Sequence, residues 1–268
     1  MTNNLTTDIT RTELSPFGLL VQGPADGADL REIPPTVLEN WTVEAKVLVL
    51  RGFPLLSKDE LIEYGHRWGE ILTWDFGEVL DLVIHEDPNN YLFTRGDVPF
   101  HWDGAFAKAT PRFFLFQCVS APKAGGGGET VFSDTTEVIR RADERTRQRW
   151  DSVEMTYHTE QLQHYGGNVT APLTDTHPVT GKPIIRYAEP LPADRYLNPL
   201  SVEAGGVPEQ EAPDFLTDLR DRLHADDVCY HHEWQDGDIV VVDNNALVHG
   251  RNAFRGNSSR HLQRMQII

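Results

Sequence analysis

Gly237-Asp238-Ile239-Val240-Val241-Val242-Asp243-Asn244-Asn245-Ala246-Leu247-Val248-His249-Gly250-Arg251 decides how the chain is read. Four consecutive β-branched residues suit a pleated surface better than a helix, so Ile239 to Val242 predicts a buried strand. Asp243, Asn244 and Asn245 supply turn chemistry, and the chain then reaches a histidine. Gly250, directly after it, lets another backbone approach closely.

The same signature recurs at Gly18 to Val21, Lys46 to Leu50, Arg112 to Val119, Glu129 to Phe132, Ile184 to Tyr187 and Leu262 to Ile268. Short apolar runs rich in Val, Ile and Phe predict strands, so the fold class is mainly β. Helical patterns lie between them. Ser57 with Glu60 reads as a capping box before Leu61, Tyr64 and Trp68, and Asp134 with Glu137 as another before Val138 and Ile139. A third helix is expected from about Pro213, with Phe215, Leu216, Leu219 and Leu223 on one stripe. Helices flanking a sheet core fit this order. The segment 158–212, rich in Pro, Gly, Thr and Asn, reads as long irregular connections, and Gly125 to Gly128 as a mobile turn lacking the Lys-Ser or Lys-Thr of a phosphate loop.

A length of 268 residues, 39% of them hydrophobic, fits one domain over residues 1–268. With 41 acidic against 24 basic residues the formal net charge is -17, which repels nucleic-acid phosphates and anionic membrane surfaces. The expected partner is a small molecule, and homo-oligomer formation is compatible with the sequence. Cys118 and Cys229 read as reduced thiols. The first fifteen residues lack the apolar core of a signal peptide, and no apolar run is long enough to span a bilayer, so a soluble, cytoplasmic protein is expected.

His101-Trp102-Asp103 supplies the chemistry that His249 completes. On one strand His101 and Asp103 would share a face, roughly 6.5 to 7 Å apart, with Trp102 turned away. Two histidines and one carboxylate on one face of a metal leave half its coordination sphere open, which suits non-haem Fe(II). Zinc is the rival, and would bring metal-assisted hydrolysis or isomerisation. Arg260 and Arg264 weigh against zinc. On a strand they share a face about 13 Å apart, and a guanidinium fork reads the carboxylates of 2-oxoglutarate or of a substrate. The pair His231-His232 points to opposite sides of a strand and chelates poorly, His158 and His164 carry no stronger signal, and Arg251 and Arg255 read as solvated surface charges.

These residues resemble the taurine dioxygenase-like (TauD/TfdA) family of Fe(II)- and 2-oxoglutarate-dependent oxygenases, from about Trp68 to Ile268. The resemblance rests on His101-Trp102-Asp103, the Gly128-Glu129-Thr130 turn and strand, the approach from Val242 to His249, and Arg260 with Arg264. It implies a double-stranded β-helix, or jelly roll, with flanking helices. It implies iron on His101, Asp103 and His249, 2-oxoglutarate on Thr130 and Arg260, and dioxygen as the oxidant. It also implies an anionic-substrate contact for Arg264. Asp103 argues against halogenation, which needs a small residue there. Gly69 to Gly77 and Phe93 to Gly104 look closer to the branch that tailors amino-acid-derived isonitriles. Arg95 and Trp74 flank the motifs with a cationic and a planar group suited to a carboxylate-bearing or aromatic substrate and are further candidate substrate contacts, with Trp74 equally readable as core. The expected reaction is hydroxylation, desaturation or cyclisation of a small carboxylate-bearing, amino-acid-derived substrate, with release of succinate and carbon dioxide. The alternatives are a jelly-roll hydrolase or isomerase that does not use 2-oxoglutarate, and a taurine- or sulfonate-type dioxygenase.

Overall fold

A computed structural model describes residues 9–24, 27–107, 109–160 and 167–268. Its largest sheet has seven strands, in the order β1 (Thr10–Glu13), β2 (Leu19–Gln22), β3 (Val47–Arg51), β14 (Ile239–Asp243), β6 (Phe113–Ser120), β16 (His261–Ile267) and β4 (Val79–Leu82). A second sheet runs β13 (Cys229–His232), β7 (Thr130–Asp134), β15 (Leu247–Arg251) and β5 (Val98–His101). All of its pairings are antiparallel. Beside these lie β12 (Ser201–Gly205) with β8 (Glu154–His158) and β9 (Asn168–Pro172), and the pair β10 (Thr174–Thr176) and β11 (Pro183–Ile185). The fold is mainly β with a jelly-roll core, as expected.

The apolar runs are continuous because both faces of the large sheet are buried. Phe114, Phe116 and Cys118 of β6 join Val240 and Val242 of β14 and meet Phe132 and Leu247 of the second sheet. The alternate residues Phe113, Leu115, Ile239, Val241, Met265 and Ile267 pack outward with Leu38 and Leu61. Those two leucines belong to α1 (Pro35–Ala45) and α2 (Lys58–His66). The outer face of the second sheet is covered in turn, Val131 and Val248 packing with Val138, Ile139, Leu219 and Leu223. These come from α3 (Thr135–Arg141) and α5 (Ala212–Leu223), while α4 (Glu144–Asp151) adds the buried Trp150.

The Ser57 and Glu60 capping box is present at α2. At α3 only half of the expected box forms: Asp134 accepts from Thr136 N and Glu137 N, but Glu137 turns to Arg140 and Arg141 instead of reaching back. The stretch read as irregular connections holds β9 to β12: β11 falls on the apolar run read at Ile184 to Tyr187, while β9, β10 and β12 are short and largely exposed and so lack apolar runs. His164 lies outside the described residues.

The glycine turn is packed, not loose. Gly125, Gly127 and Gly128 have φ of 71°, 72° and 78°, and a Cβ on Gly128 would sit 2.2 Å from the Phe254 ring. Glycine is there because the backbone is left-handed and, at Gly127 and Gly128, because the neighbours leave no room. Cys118 and Cys229 are free and buried.

Candidate metal centre

Strand pairing brings the remote histidine home. β15 lies between β7 and β5, and His249 is registered directly opposite His101. Opposed residues of an antiparallel pair have Cβ atoms about 5 Å apart, and here the two imidazole centroids are 4.3 Å apart. The register shifts between His249 and Arg251, and a Cβ on Gly250 would meet the Val98 carbonyl at 2.4 Å. Gly250 therefore permits the close approach that the sequence anticipates.

Asp103 does not share a strand with His101. β5 ends at His101, and Asp103 stands in the turn beyond it. The convergence comes from the turn, because Asp103 Oδ1 lies 3.6 Å from His101 Nε2 and 3.9 Å from His249 Nε2. Among the described residues, these three are the set whose ligand atoms all lie within 4.8 Å of one another. Trp102 turns into the opposite core, 5.3 Å from Tyr157.

The donor set fits a divalent metal chemically as well as spatially. His101 Nδ1 contacts the Pro99 carbonyl at 3.0 Å, an arrangement that places a proton on Nδ1 and frees the Nε2 lone pair. Burial, reinforced by His101 alongside, pushes His249 down to about 3, so its imidazole is in the neutral, ligating form. For Asp103, burial acts to raise the pKa, but Arg264 and the two histidines outweigh it and hold the carboxyl well below its ordinary range.

Asn244, which sequence reasoning passed over as a turn residue, fixes that turn in space. Its Oδ1 accepts from Asp103 N at 2.9 Å, and its Nδ2 donates to the carbonyls of Asp103 at 2.9 Å and Pro111 at 2.8 Å. The turn carrying Asn244 is pinned in turn from the segment expected to be irregular: His177 Nε2 lies 2.8 Å from Asp243 Oδ2, both buried, and Arg186 donates to Asn244 O and Asn245 Oδ1. Replacing Asn244 by Ala should cost roughly 1–3 kcal/mol for each buried group it orphans. It should also weaken Mn(II) binding about 10- to 100-fold, as loss of an outer-shell partner does. Urea melts and metal titration check both, and unchanged metal affinity would remove Asn244 from the support of the site.

Thr130 and Arg260 meet beside the triad. Arg260 precedes β16, is only 7% exposed, and donates to Gly128 O and to Thr130 Oγ1, the latter at 3.0 Å. Trp234 Nε1 also donates to Thr130 Oγ1, at 3.0 Å. With two incoming donors the Thr130 hydroxyl keeps its own hydrogen to give. Burial, with Arg251 adding repulsion, pushes Arg260 down to about 9, and no acidic side chain among the described residues makes an ion pair with it. A buried cation beside a free hydroxyl donor and two imidazoles is built to receive a carboxylate.

Arg264 lies two turns of the pleat further along the same face, its Nη1 3.3 and 3.2 Å from the Asp103 oxygens. With Asp103 and His101 it lines a cavity of about 360 Å³ whose walls include the aromatic rings of Trp74, Phe76, Tyr91, Phe93 and Phe106. Trp74 is thus a wall of this cavity rather than core, and Gln266, unremarked in the sequence, sits beside it. Its signal was available, since Gln266 is two residues from Arg264 on one strand face. Arg95 is placed elsewhere. Its guanidinium is exposed, donates to Ser258 O at 2.5 Å, and lines a different cavity. Arg251 also departs from expectation. It is 7% exposed, not solvated, and donates to the carbonyls of Leu92, Thr94 and Gly96. His232 is buried 3.3 Å from Asp238, and His158 contacts Asn168, so neither belongs to the centre.

The family model described as "Taurine catabolism dioxygenase TauD, TfdA family" matches residues 10–266, starting well before Trp68 and taking in the N-terminal strands. The 3-((Z)-2-isocyanoethenyl)-1H-indole synthase of Fischerella ambigua is 48% identical over 256 residues, covering 95% of this chain and 94% of that protein. A tyrosine isonitrile desaturase of Erwinia amylovora is 37% identical over 254 residues, covering 94% and 87%. Among solved structures, PvcB, described as an Fe, alpha-ketoglutarate dependent oxygenase from an isonitrile synthetic pathway, superposes with a TM-score of 0.81 at 31% identity, covering 97% of this chain and 92% of that one.

Proposed function

Because the chain belongs to the TauD, TfdA family of taurine catabolism dioxygenases, we propose that it is a desaturase acting on an aromatic amino-acid-derived isonitrile. It is an oxidoreductase of the iron- and 2-oxoglutarate-dependent class. The observation that carries the substrate reading is the aromatic cavity, which opens directly on His101 and Asp103 and holds Arg264 at the same end. An indole or phenol ring fits such walls, and Arg264 is a fork for the substrate carboxylate. The similarity to isonitrile-modifying relatives supports the same reading.

His101, Asp103 and His249 would hold the iron, and Thr130 with Arg260 would hold the distal carboxylate of 2-oxoglutarate. Bound iron supplies the oxidising chemistry, in which dioxygen and 2-oxoglutarate are consumed and succinate and carbon dioxide released. The chain's own work is positional. The aromatic walls exclude water and fix the ring, and Arg264 fixes the carboxylate, so that the carbon between them faces the triad. Removing one hydrogen there, and either a second hydrogen or the carboxyl group from the neighbouring carbon, leaves a double bond next to the isonitrile nitrogen. The hydrolase or isomerase alternative is not favoured, because it gives the buried Arg260 no anionic partner. A sulfonate substrate would leave the aromatic walls unused.

No helix among the described residues is long and apolar enough to cross a membrane. The two free cysteines and the net charge of -17 support a cytoplasmic protein whose partner is a small molecule and not a nucleic acid.

Tryptophan isonitrile and tyrosine isonitrile, each supplied with Fe(II), 2-oxoglutarate and oxygen, test the proposal. The expected result is substrate-stimulated succinate release and a product two hydrogens lighter, with or without further loss of carbon dioxide. A product one oxygen heavier, or turnover only of taurine-like sulfonates, would contradict it.

A further inference from the structure

The two oxygens of Asp103 have different surroundings. Oδ1 is the atom 3.6 and 3.9 Å from the histidine Nε2 atoms. Oδ2 accepts a hydrogen bond from Gln266 Nε2 at 2.6 Å. Arg264 lies almost equally far from both and so does not distinguish them.

Gln266 is 3% exposed, and its amide has a defined direction because Trp74 Nε1 donates to its Oε1 at 2.6 Å. An indole nitrogen can only donate, so it selects the amide oxygen and leaves the NH2 group toward Asp103. The indole is itself placed by backbone. Leu72 N donates to Gln266 O at 2.9 Å, and Trp74 closes a tight turn on Gly77, whose φ is 96°. The flipped amide would set oxygen against carboxylate.

We propose that Trp74 and Gln266 are positioning residues that keep Asp103 a one-oxygen ligand, a role that rests on the iron reading above. Three protein ligands leave three open positions on a six-coordinate ion. Chelating 2-oxoglutarate takes two, and one remains for dioxygen. If Oδ2 swung in beside Oδ1, that last position would be lost. Gln266 holds Oδ2 away, and Trp74 ensures that the amide presents a donor. Simple support of the fold would not require either the selectivity for Oδ2 or the oriented amide.

Two affinities separate these roles, that for Mn(II) alone by calorimetry and that for nitric oxide, a dioxygen surrogate, on anaerobic protein loaded with Fe(II) and 2-oxoglutarate. Gln266→Leu should keep its Mn(II) affinity, because a freed Oδ2 adds a metal contact that offsets the lost hydrogen bond, while its nitric oxide affinity falls about tenfold as that contact takes the open position. Trp74→Phe, which keeps the ring and deletes only the N–H, should change the same affinity in the same direction by less, and it carries the test if Gln266→Leu does not fold. Loss of Mn(II) and nitric oxide affinity together, or of neither, would overturn the proposal. If the unaltered protein bound neither metal nor nitric oxide, the iron reading itself would fail.

Discussion

Asp103→Ala is expected to abolish coupled turnover and to weaken Fe(II) binding by well over the 10- to 100-fold, roughly, that loss of an outer-shell partner costs. The substitution removes the only carboxylate of the triad, so two neutral imidazoles would be left to hold a dication. It also leaves Arg264 and Gln266 directed at an empty place, since both donate to the Asp103 carboxylate. The partly buried Arg264 guanidinium then repels the metal that the carboxylate attracted. Fe(II) or Mn(II) titration with single-turnover succinate analysis is the measurement, and retention of wild-type affinity and turnover would remove Asp103 from the centre. Folding should survive, because Asn244 holds the backbone of residue 103 and not its side chain.

Arg260→Ala is expected to cost the binding of 2-oxoglutarate while sparing the metal. Arg260 is buried and, among the described residues, makes no ion pair, so its charge is left for the distal carboxylate of the co-substrate. Breaking a buried pair by removing one partner costs about 3–5 kcal/mol. At about 1.4 kcal/mol per tenfold, that is a rise of roughly two to three and a half orders of magnitude in the dissociation constant. Metal affinity should stay near wild type, since Arg260 touches Gly128 and Thr130 and not the triad. Calorimetric titration of 2-oxoglutarate into Mn(II)-loaded protein reads this directly, and an unchanged dissociation constant would exclude the role.

The strands were legible because their apolar runs are continuous, and they are continuous because both faces of the large sheet are covered. The metal ligands were legible as residue types, but their proximity was not. His101 and His249 are 148 positions apart in sequence, and only the register of β5 against β15 sets them opposite each other. The strand geometry invoked for His101 and Asp103 was wrong in detail, because the chain turns after His101 and Asn244 then fixes where Asp103 stands. Arg251 looked like a surface charge because nothing local marks it. Three carbonyls of the loop 92–96 accept its hydrogen bonds, and burial pushes it down to about 10. α1 escaped notice although Pro35 stands at its first turn, where proline is well tolerated. Trp74 could not be told from core by sequence, since its aromatic ring would serve either place and only the fold gives it a cavity on one side and Gln266 on the other.

The proposed reaction requires one site that binds iron and 2-oxoglutarate together. Adding Fe(II) and then 2-oxoglutarate to the protein without oxygen should produce a weak visible charge-transfer band that needs both additions and is lost in Asp103→Ala. No band, or metal binding that 2-oxoglutarate does not alter, would contradict it.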